Sequence, residues 1–163
     1  MRVAIASDHA GFALKEDVRE FMSKLGHDVI DLGACNTQPS DYPDFAEAVG
    51  EAIMASTVER GILICGSGVG VSIAANKMPG IRAAICHDAY SAHQGVEHDD
   101  MNVLVMGSRI IGEALAREIA ERYLKATFDV SEERFVRRLN KVKAIERLYM
   151  PSAGPASARP SSA

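Results

Sequence analysis

Gly61-Ile-Leu-Ile-Cys-Gly-Ser-Gly-Val-Gly-Val-Ser72 is the stretch that decides the fold, because a short apolar run ends in a cysteine and passes at once into a glycine-rich loop. The residues that follow are typical of the start of a helix. A strand, a glycine loop and a helix in this order indicate one unit of an open α/β sheet, in which ligands bind at the carboxyl ends of the strands. Glycines there let backbone N–H groups approach an anion, and the helix adds the positive end of its dipole. Cys65 is therefore a candidate for chemistry.

Short β-branched runs alternate with helical patterns along the rest of the chain. The predicted strands cover residues 2–6, 28–32, 61–65, 82–86 and 102–106, and the predicted helices cover residues 11–25, 45–56, 69–77, 89–95, 111–125 and 131–148. This alternation predicts an α/β fold, a doubly wound five-stranded parallel sheet (Rossmann- or flavodoxin-like, three layers) with an extra C-terminal helix. The expected strand order is 2-1-3-4-5, which brings the loops after strands 1 and 3 together, so that Asp8 and His9 face Cys65.

Length and composition are those of one globular domain, since 163 residues, of which 47 % are apolar, suffice for a proper core. We expect this domain to span residues 1–150 and the Pro/Ala/Ser-rich residues 151–163 to form a flexible tail. The N-terminus has no signal-peptide core and no run could cross a bilayer, so we expect a cytoplasmic protein without a membrane partner. The net charge of −4 indicates no nucleic-acid partner.

The glycine loop by itself permits several interpretations. It is no Walker A motif, and its third glycine comes one place early for a dinucleotide fingerprint, so a tight turn with positive φ is as good an interpretation as an anion site. Cys65 could be an ordinary buried cysteine, but a thiol at a helix N-terminus has a lowered pKa and can act as a base or nucleophile. Ser67 could cap the helix or hydrogen-bond a developing oxyanion.

Other polar residues are expected at the same ligand-binding edge. His98 precedes the fifth strand and is assigned the same topological position as Asp8 and His9. Arg134 and Arg138 are four residues apart and share a helix face, which suits a phosphate, although solvated helix charges are the plain alternative. The three cysteines form no pair, and no histidine–carboxylate spacing resembles a metal site, so neither a metal nor a cofactor is expected.

Five groups of residues carry a family resemblance. They are Ser7-Asp-His-Ala-Gly11; Asp41-Tyr-Pro43; Ile64-Cys-Gly-Ser-Gly-Val-Gly70 with Ile73-Ala-Ala-Asn-Lys77; Gly80-Ile-Arg-Ala83; and Asn102-Val-Leu104 with Gly107-Ser-Arg109. In order and spacing they resemble ribose-5-phosphate isomerase type B, a family shared with the galactose-6-phosphate isomerase subunits. The resemblance covers residues 2–148. It implies a metal-independent aldose–ketose isomerase that interconverts ribose 5-phosphate and ribulose 5-phosphate through an enediolate, in the non-oxidative branch of the pentose phosphate pathway.

The resemblance also implies catalytic roles. Cys65 resembles the base that moves a proton between C1 and C2, and His98 resembles the acid/base that opens the furanose ring. Ser67 stands where many members of the family have Thr. With the amides of the loop it would stabilise the enediolate; these amides belong to Gly66, Gly68, Val69 and Gly70.

Substrate-binding roles follow in the same way. Asp8 and Tyr42 would contact sugar hydroxyls or their surroundings. The phosphate would be held by His9, Arg134 and Arg138, with Arg109 a weaker candidate. The site of the family lies between two subunits, so the resemblance implies a homodimer with a shared active site and leaves open whether dimers pair into tetramers.

One departure concerns Asp99, which follows His98 where the family commonly has Asn. An ionised carboxylate only accepts hydrogen bonds and repels a phosphate or an enediolate, so we expect Asp99 to shift sugar preference or to lower activity on ribose 5-phosphate. The alternatives to ribose 5-phosphate isomerisation are an isomerase of a hexose 6-phosphate (allose or galactose type), a non-catalytic sugar-phosphate-binding module and a flavodoxin-like flavin binder.

Overall fold

The computed structural model describes residues 1–150, and the expected tail at 151–163 lies outside the described residues. The strands are β1 (Arg2–Ser7), β2 (Asp28–Asp31), β3 (Arg60–Cys65), β4 (Ala83–Ile85) and β5 (Val103–Gly107). The helices are α1 (Phe12–Lys24), α2 (Tyr42–Met54), α3 (Val69–Ala75), α4 (Ala89–Asp99), α5 (Glu113–Lys125) and α6 (Glu133–Tyr149). The strand pairs are all parallel, which confirms the predicted α/β sheet with an additional C-terminal helix.

Two helices differ from their predicted bounds by three or four residues at one end, for local reasons. Helix α2 begins at Tyr42, inside the predicted loop, because Pro43 in its first turn already has the backbone φ that a helix needs. Helix α4 continues past Gly95 to Asp99, because Val96 is buried in the core and extends the apolar face of the helix. The helix stops where Asp100 takes the left-handed conformation, with φ of 53°.

The strand order is β2-β1-β3-β5-β4, so the expected order 2-1-3-4-5 is wrong for the last two strands. Strand β5 is buried along its whole length and pairs with both β3 and β4. Strand β4 has three residues, and two of them, Ala84 and Ile85, are exposed. A strand covered on both faces belongs inside a parallel sheet, and a short, half-exposed strand belongs at its edge.

Apolar side chains leave the sheet alternately on its two faces and form two cores. On one face, β-strand residues such as Ile5, Ile64 and Leu104 pack with α1, α4 and α5. On the other face, Ala6, Leu63 and their neighbours pack with α2 and α3. The three layers are thus helices, sheet and helices, as predicted. Helix α6 lies outside this arrangement and packs on α4.

The sheet brings three strand ends together at its carboxyl edge. Ser7 of β1 pairs with Ile64 of β3, and Cys65 of β3 pairs with Gly107 of β5. The loops that follow β1, β3 and β5 are therefore neighbours. No helix within residues 1–150 is long and apolar enough to span a membrane.

Candidate active site

The thiol of Cys65 lies against the carboxylate of Asp8, as the topology predicts for the ends of β3 and β1. Sγ of Cys65 donates a hydrogen bond to Oδ2 of Asp8 at 2.9 Å, and the backbone N–H of Gly11 donates to Oδ1 at 3.0 Å. Asp8 is only 6 % exposed, whereas Cys65 is half-buried and remains open to a ligand. A buried carboxylate thus has both oxygens fixed by donors of its own chain, and one of those donors is the candidate base.

Burial raises the pKa of the Cys65 thiol, and the hydrogen bond to Asp8 and its negative charge raise it further. The backbone N–H groups of Gly66 and Gly68 act in the opposite direction but are the smaller causes. The lowered pKa expected for a thiol at a helix start is therefore wrong for this site. The reason is that burial of the thiol and, after it, the carboxylate of Asp8 beside the sulfur outweigh the effect of the helix start on the thiol pKa.

His9 is held by a residue that the sequence did not single out. Its backbone N–H donates to Oγ of Ser40 at 3.1 Å, and the backbone N–H of Ser40 donates to Nδ1 of His9 at 3.2 Å. Since Nδ1 accepts a hydrogen bond, the proton of a neutral imidazole is on Nε2. Ser40 therefore fixes both the orientation and the tautomer of the ring. Its position beside the Asp41-Tyr-Pro43 segment was the signal in the sequence, but a serine in a polar loop is too common to be informative.

The three loops of the carboxyl edge are joined by hydrogen bonds from the β5–α5 turn. The backbone N–H of Ser108 donates to the carbonyl of Cys65 at 2.8 Å, and the N–H of Arg109 donates to the carbonyl of Gly66 at 3.0 Å. Oγ of Ser108 reaches the carbonyl of Ala10 at 2.8 Å. His87, after β4, accepts the N–H of Gly107 at its Nε2 atom, 2.9 Å away. Ser108 and His87 therefore support this edge, and neither was predicted as a site residue, although Ser108 belongs to the Gly107-Ser-Arg109 group.

Arg109 is exposed, and its guanidinium lies over the glycine loop. A Cβ placed on Gly66 would be 3.6 Å from both Nε and Cζ of Arg109. The arginine thus lies beside Cys65 on the same chain, where a positive charge can face an anionic substrate. This placement strengthens the weaker of the phosphate-binding candidates.

The tight turn with positive φ is confirmed for the glycine loop, and the anion site stays a prediction. Gly68 is the N-cap residue of α3 and has a φ of 84°, so the turn does require a left-handed residue. Ser67 precedes the N-cap, and its Oγ accepts the N–H of Val69 at 3.3 Å in a local turn. The Ser67 side chain is nevertheless exposed, and its hydroxyl proton is still available to a ligand. A Cβ on Gly70 would lie 2.8 Å from Cζ of Tyr42, so the absence of a side chain lets the tyrosine ring lie directly on the loop.

His98 does not share this edge, and its expected topological position is wrong. It lies in the last turn of α4, just before β5 begins, whereas Cys65 ends β3. A helix that connects two parallel strands returns the chain to the amino edge of the sheet, so a residue at its end lies opposite the strand ends. There the His98 ring stacks on Phe135 of α6, with 3.9 Å between ring centroids, and its Nδ1 is 2.6 Å from Nε2 of Gln94.

The two arginines of α6 accompany His98 rather than Cys65. Arg134, in the first turn of α6, lies over the Phe135 ring at 4.8 Å and pairs with Glu132 at 3.2 Å. Arg138 is one turn further along the same face and is exposed. The predicted residues thus form two groups. The cysteine half-site comprises Asp8, His9, Tyr42, Cys65, Ser67 and Arg109, and the histidine half-site comprises His98, Arg134 and Arg138.

Asp99 turns away from His98. It is exposed and lines a cavity of about 460 Å³ between α4, β4 and α6, together with Arg82 and Glu146. The cavity beside His98, of about 470 Å³, is instead lined by residues of α4 and the 127–131 segment. Within residues 1–150, no cluster of three or more His, Cys, Asp or Glu side chains could hold a metal ion.

Comparisons with known proteins identify the family of the chain. The family model described as Ribose/Galactose Isomerase matches residues 3–142. Ribose-5-phosphate isomerase B of Escherichia coli is 42 % identical over 146 residues, which cover 90 % of this chain and 97 % of that protein. D-erythrulose-4-phosphate isomerase of Pectobacterium atrosepticum is 39 % identical over 130 residues, covering 79 % and 86 % of the two chains.

A solved structure has the same fold. Ribose-5-phosphate isomerase B of Clostridium thermocellum superposes with a TM-score of 0.88 and 45 % identity, covering 91 % of this chain and 99 % of that one. The predicted resemblance is therefore confirmed over nearly the whole described part of the chain. The chain belongs to the ribose/galactose isomerase family of enzymes.

Proposed function

We propose that this enzyme interconverts ribose 5-phosphate and ribulose 5-phosphate through an enediolate, with Cys65 as the base. The observation that carries the proposal is the Cys65 thiol, half-buried at the carboxyl edge of the sheet and 2.9 Å from a buried carboxylate. Binding a sugar phosphate needs no such pair, whereas removing a proton from carbon does. The proposal is supported further by the relatives that are named for this reaction and match almost their full length.

Isomerisation begins when the furanose ring opens. A proton leaves the C1 hydroxyl, a proton reaches the ring oxygen, and an aldehyde results. The Cys65 side chain then removes the proton from C2, the electron pair moves toward the C1 oxygen, and an enediolate forms. Ser67 and the backbone N–H groups of the glycine loop lie where they can stabilise that negative charge. Return of a proton to C1 and transfer of a proton from the C2 oxygen to the C1 oxygen give the ketose.

Two copies of the chain form each complete site in this proposal. Ring opening is assigned to His98 and phosphate binding to Arg134 and Arg138, yet these residues lie on α4 and α6, away from the strand ends. In this arrangement a second copy brings its histidine half-site to the cysteine half-site of the first copy. His9 and Arg109 then come from one chain, and the two α6 arginines come from the other. Four basic groups then surround a dianionic phosphate. The family resemblance, which implies a shared site, supports the same arrangement.

The direct test is isomerisation of ribose 5-phosphate in D₂O, followed by ¹H NMR. The wild-type enzyme should form ribulose 5-phosphate and incorporate deuterium at C1, because the proton carried by the base exchanges with solvent. Cys65→Ala should abolish both while it still binds substrate. Activity that survives Cys65→Ala would remove Cys65 as the base.

Substrate choice is tested with the same assay on a panel of sugar phosphates. D-Erythrulose 4-phosphate represents the Pectobacterium relative, and allose 6-phosphate and galactose 6-phosphate represent the hexose alternatives. The highest kcat/KM is expected for ribose 5-phosphate. A higher value for a tetrose or hexose phosphate would keep the mechanism but change the substrate, and no turnover of any member would refute the enzymatic proposal.

A further inference from the structure

We propose that Asp8 is the proton acceptor of Cys65, so that thiol and carboxylate act together as a two-group base. The inference rests on the proposed function, because it assigns a role within the same reaction. Asp8 orients the thiol of Cys65 and accepts its proton, so it acts on the substrate through Cys65. The family resemblance, by contrast, implies only that Asp8 contacts sugar hydroxyls or their surroundings.

The hydrogen bonds of Asp8 orient one of its carboxylate oxygens toward the sulfur of Cys65. The N–H of Gly11 fixes Oδ1 at 3.0 Å, and Oδ2 accepts the thiol proton at 2.9 Å, which is short for a contact with sulfur. Asp8 is 6 % exposed, so few water molecules can replace these donors. A carboxylate is unfavourable in such a place unless it is hydrogen-bonded. The thiol supplies one of the required hydrogen bonds, which accounts for the position of the carboxylate even without substrate.

The chemistry requires an acceptor because a thiol is not itself a base. Burial and Asp8 raise the pKa of Cys65, so the thiolate is scarce at neutral pH. In the proposed step the S–H proton moves to Oδ2 of Asp8 and the sulfur takes the proton from C2 of the substrate. The substrate becomes the enediolate, Cys65 is again a thiol, and Asp8 is a neutral acid. The reverse transfer gives the sulfur-bound proton to C1, while the proton on Asp8 returns to sulfur, so that protons and electrons balance.

The surroundings stabilise the sulfur during the transfer. The backbone N–H groups of Gly66 and Gly68 favour the thiolate over the thiol. They therefore support negative charge on sulfur at the moment when its proton has left and the C2 proton has not yet arrived.

The other titratable side chains at this edge are not arranged to accept the thiol proton. His9 has its Nδ1 occupied by the N–H of Ser40, and His87 has its Nε2 occupied by the N–H of Gly107. Arg109 lies over Gly66 and can only donate. Among residues 1–150, Asp8 is the group to which the thiol donates.

Asp8→Asn separates this role from a purely electrostatic or structural one. The amide oxygen of Asn can still accept the N–H of Gly11, so the local hydrogen bonding is kept, but the charge and the proton acceptor are lost. Without the carboxylate, thiolate forms at lower pH, so alkylation of Cys65 by iodoacetamide, followed by peptide mass spectrometry, should begin at lower pH than in the wild type. The kcat should nevertheless fall about 100-fold or more, the range of general-base effects.

Asp8→Asn should make alkylation of Cys65 begin at lower pH and should at the same time lower kcat, and these opposite effects make the test decisive. If free thiolate were the base, Asp8→Asn would raise both thiolate formation and turnover at neutral pH, and that result would overturn the proposal. A kcat that stays unchanged would overturn it as well. Asp88→Asn is the matched control. Asp88 follows β4 at the same edge, is exposed and hydrogen-bonds Ser91, so its loss should leave kcat near the wild-type value.

The wild-type enzyme offers a second measurement in case Asp8→Asn fails to fold. A two-group base works while the thiol is protonated, so kcat/KM should be level across the pH range in which the alkylation rate of Cys65 still rises. Parallel rises of kcat/KM and alkylation would refute the role of Asp8. If the wild type does not isomerise a sugar phosphate, or Cys65→Ala is active, the proposed function fails. If both behave as expected and only the Asp8 results do not, the role of Asp8 alone fails.

Discussion

Mixing two inactive variants tests whether one site takes residues from two chains. Cys65→Ala disables the cysteine half-site and His98→Ala disables the histidine half-site, which lie at opposite edges of the sheet. In a two-fold dimer that contains one chain of each variant, one site lacks both groups and the other site has both. Random pairing makes half of the dimers mixed, so about a quarter of all sites should be of wild-type composition.

The assay is isomerisation of ribose 5-phosphate by co-refolded chains that carry different affinity tags, after purification through both tags. Purified mixed dimers should recover about half of the wild-type kcat per dimer, since one of two sites is intact. The matched control combines Cys65→Ala with Asp8→Asn. Both changes fall in the cysteine half-site, so every site keeps one lesion and activity should stay low. Mixed dimers of the first pair that remain inactive would refute the separation of the half-sites between chains.

Three further substitutions test individual contacts. Ser40→Ala removes the hydroxyl that accepts the backbone N–H of His9 and leaves the Ser40 N–H bonded to Nδ1, so KM for ribose 5-phosphate should rise about 2- to 10-fold with little change in kcat, as expected for a bond worth about 1 kcal/mol; an equal loss in kcat would contradict a role in binding alone. Gly70→Ala places a methyl group 2.8 Å from Cζ of the exposed Tyr42 ring, so the ring must move off the loop; KM for ribose 5-phosphate should rise while the unfolding temperature stays near that of the wild type, and an unchanged KM would show that the position of the ring does not matter for binding. Asp99→Asn should shift relative kcat/KM toward ribose 5-phosphate, and equal values across the sugar panel would show that Asp99 does not affect preference.

The contact between the loops after β1 and β3 could be predicted because it depends only on topology. Parallel strands end at the same edge, and the switch point places the first and third strands side by side, so Asp8 was expected to face Cys65. The atoms that meet there were not predictable. The hydrogen bond between Sγ and Oδ2 depends on atomic positions to within about an ångström, which no pattern of residue types contains. The rise in the thiol pKa depends on the burial of the sulfur and on that hydrogen bond, so it could not be predicted either.

The alternation of strands and helices along the chain could not predict the order of the last two strands in the sheet. The sequence pattern is the same whether β4 or β5 lies next to β3. The predicted strands at 82–86 and 102–106 have equal length, and only the structure shows that β5 is buried throughout and that β4 has three residues. The misplacement of His98 has a different cause. A residue close in sequence to a strand was assigned to the ligand-binding edge, although it precedes that strand and so belongs to the opposite edge.

The hydrogen bonds that Ser108 and Arg109 make to the neighbouring loops have a consequence for engineering this scaffold. The loops after β1, β3 and β5 are held together through the carbonyls of Ala10, Cys65 and Gly66, so none of them is an independent module. A loop transplanted from a relative with another sugar preference keeps these hydrogen bonds only if its backbone follows the same path, because its N–H and carbonyl groups must meet those of the other two loops. Such grafts should succeed only when all three segments move together, whereas exposed side chains that lie on this frame, Tyr42 among them, can be exchanged one at a time.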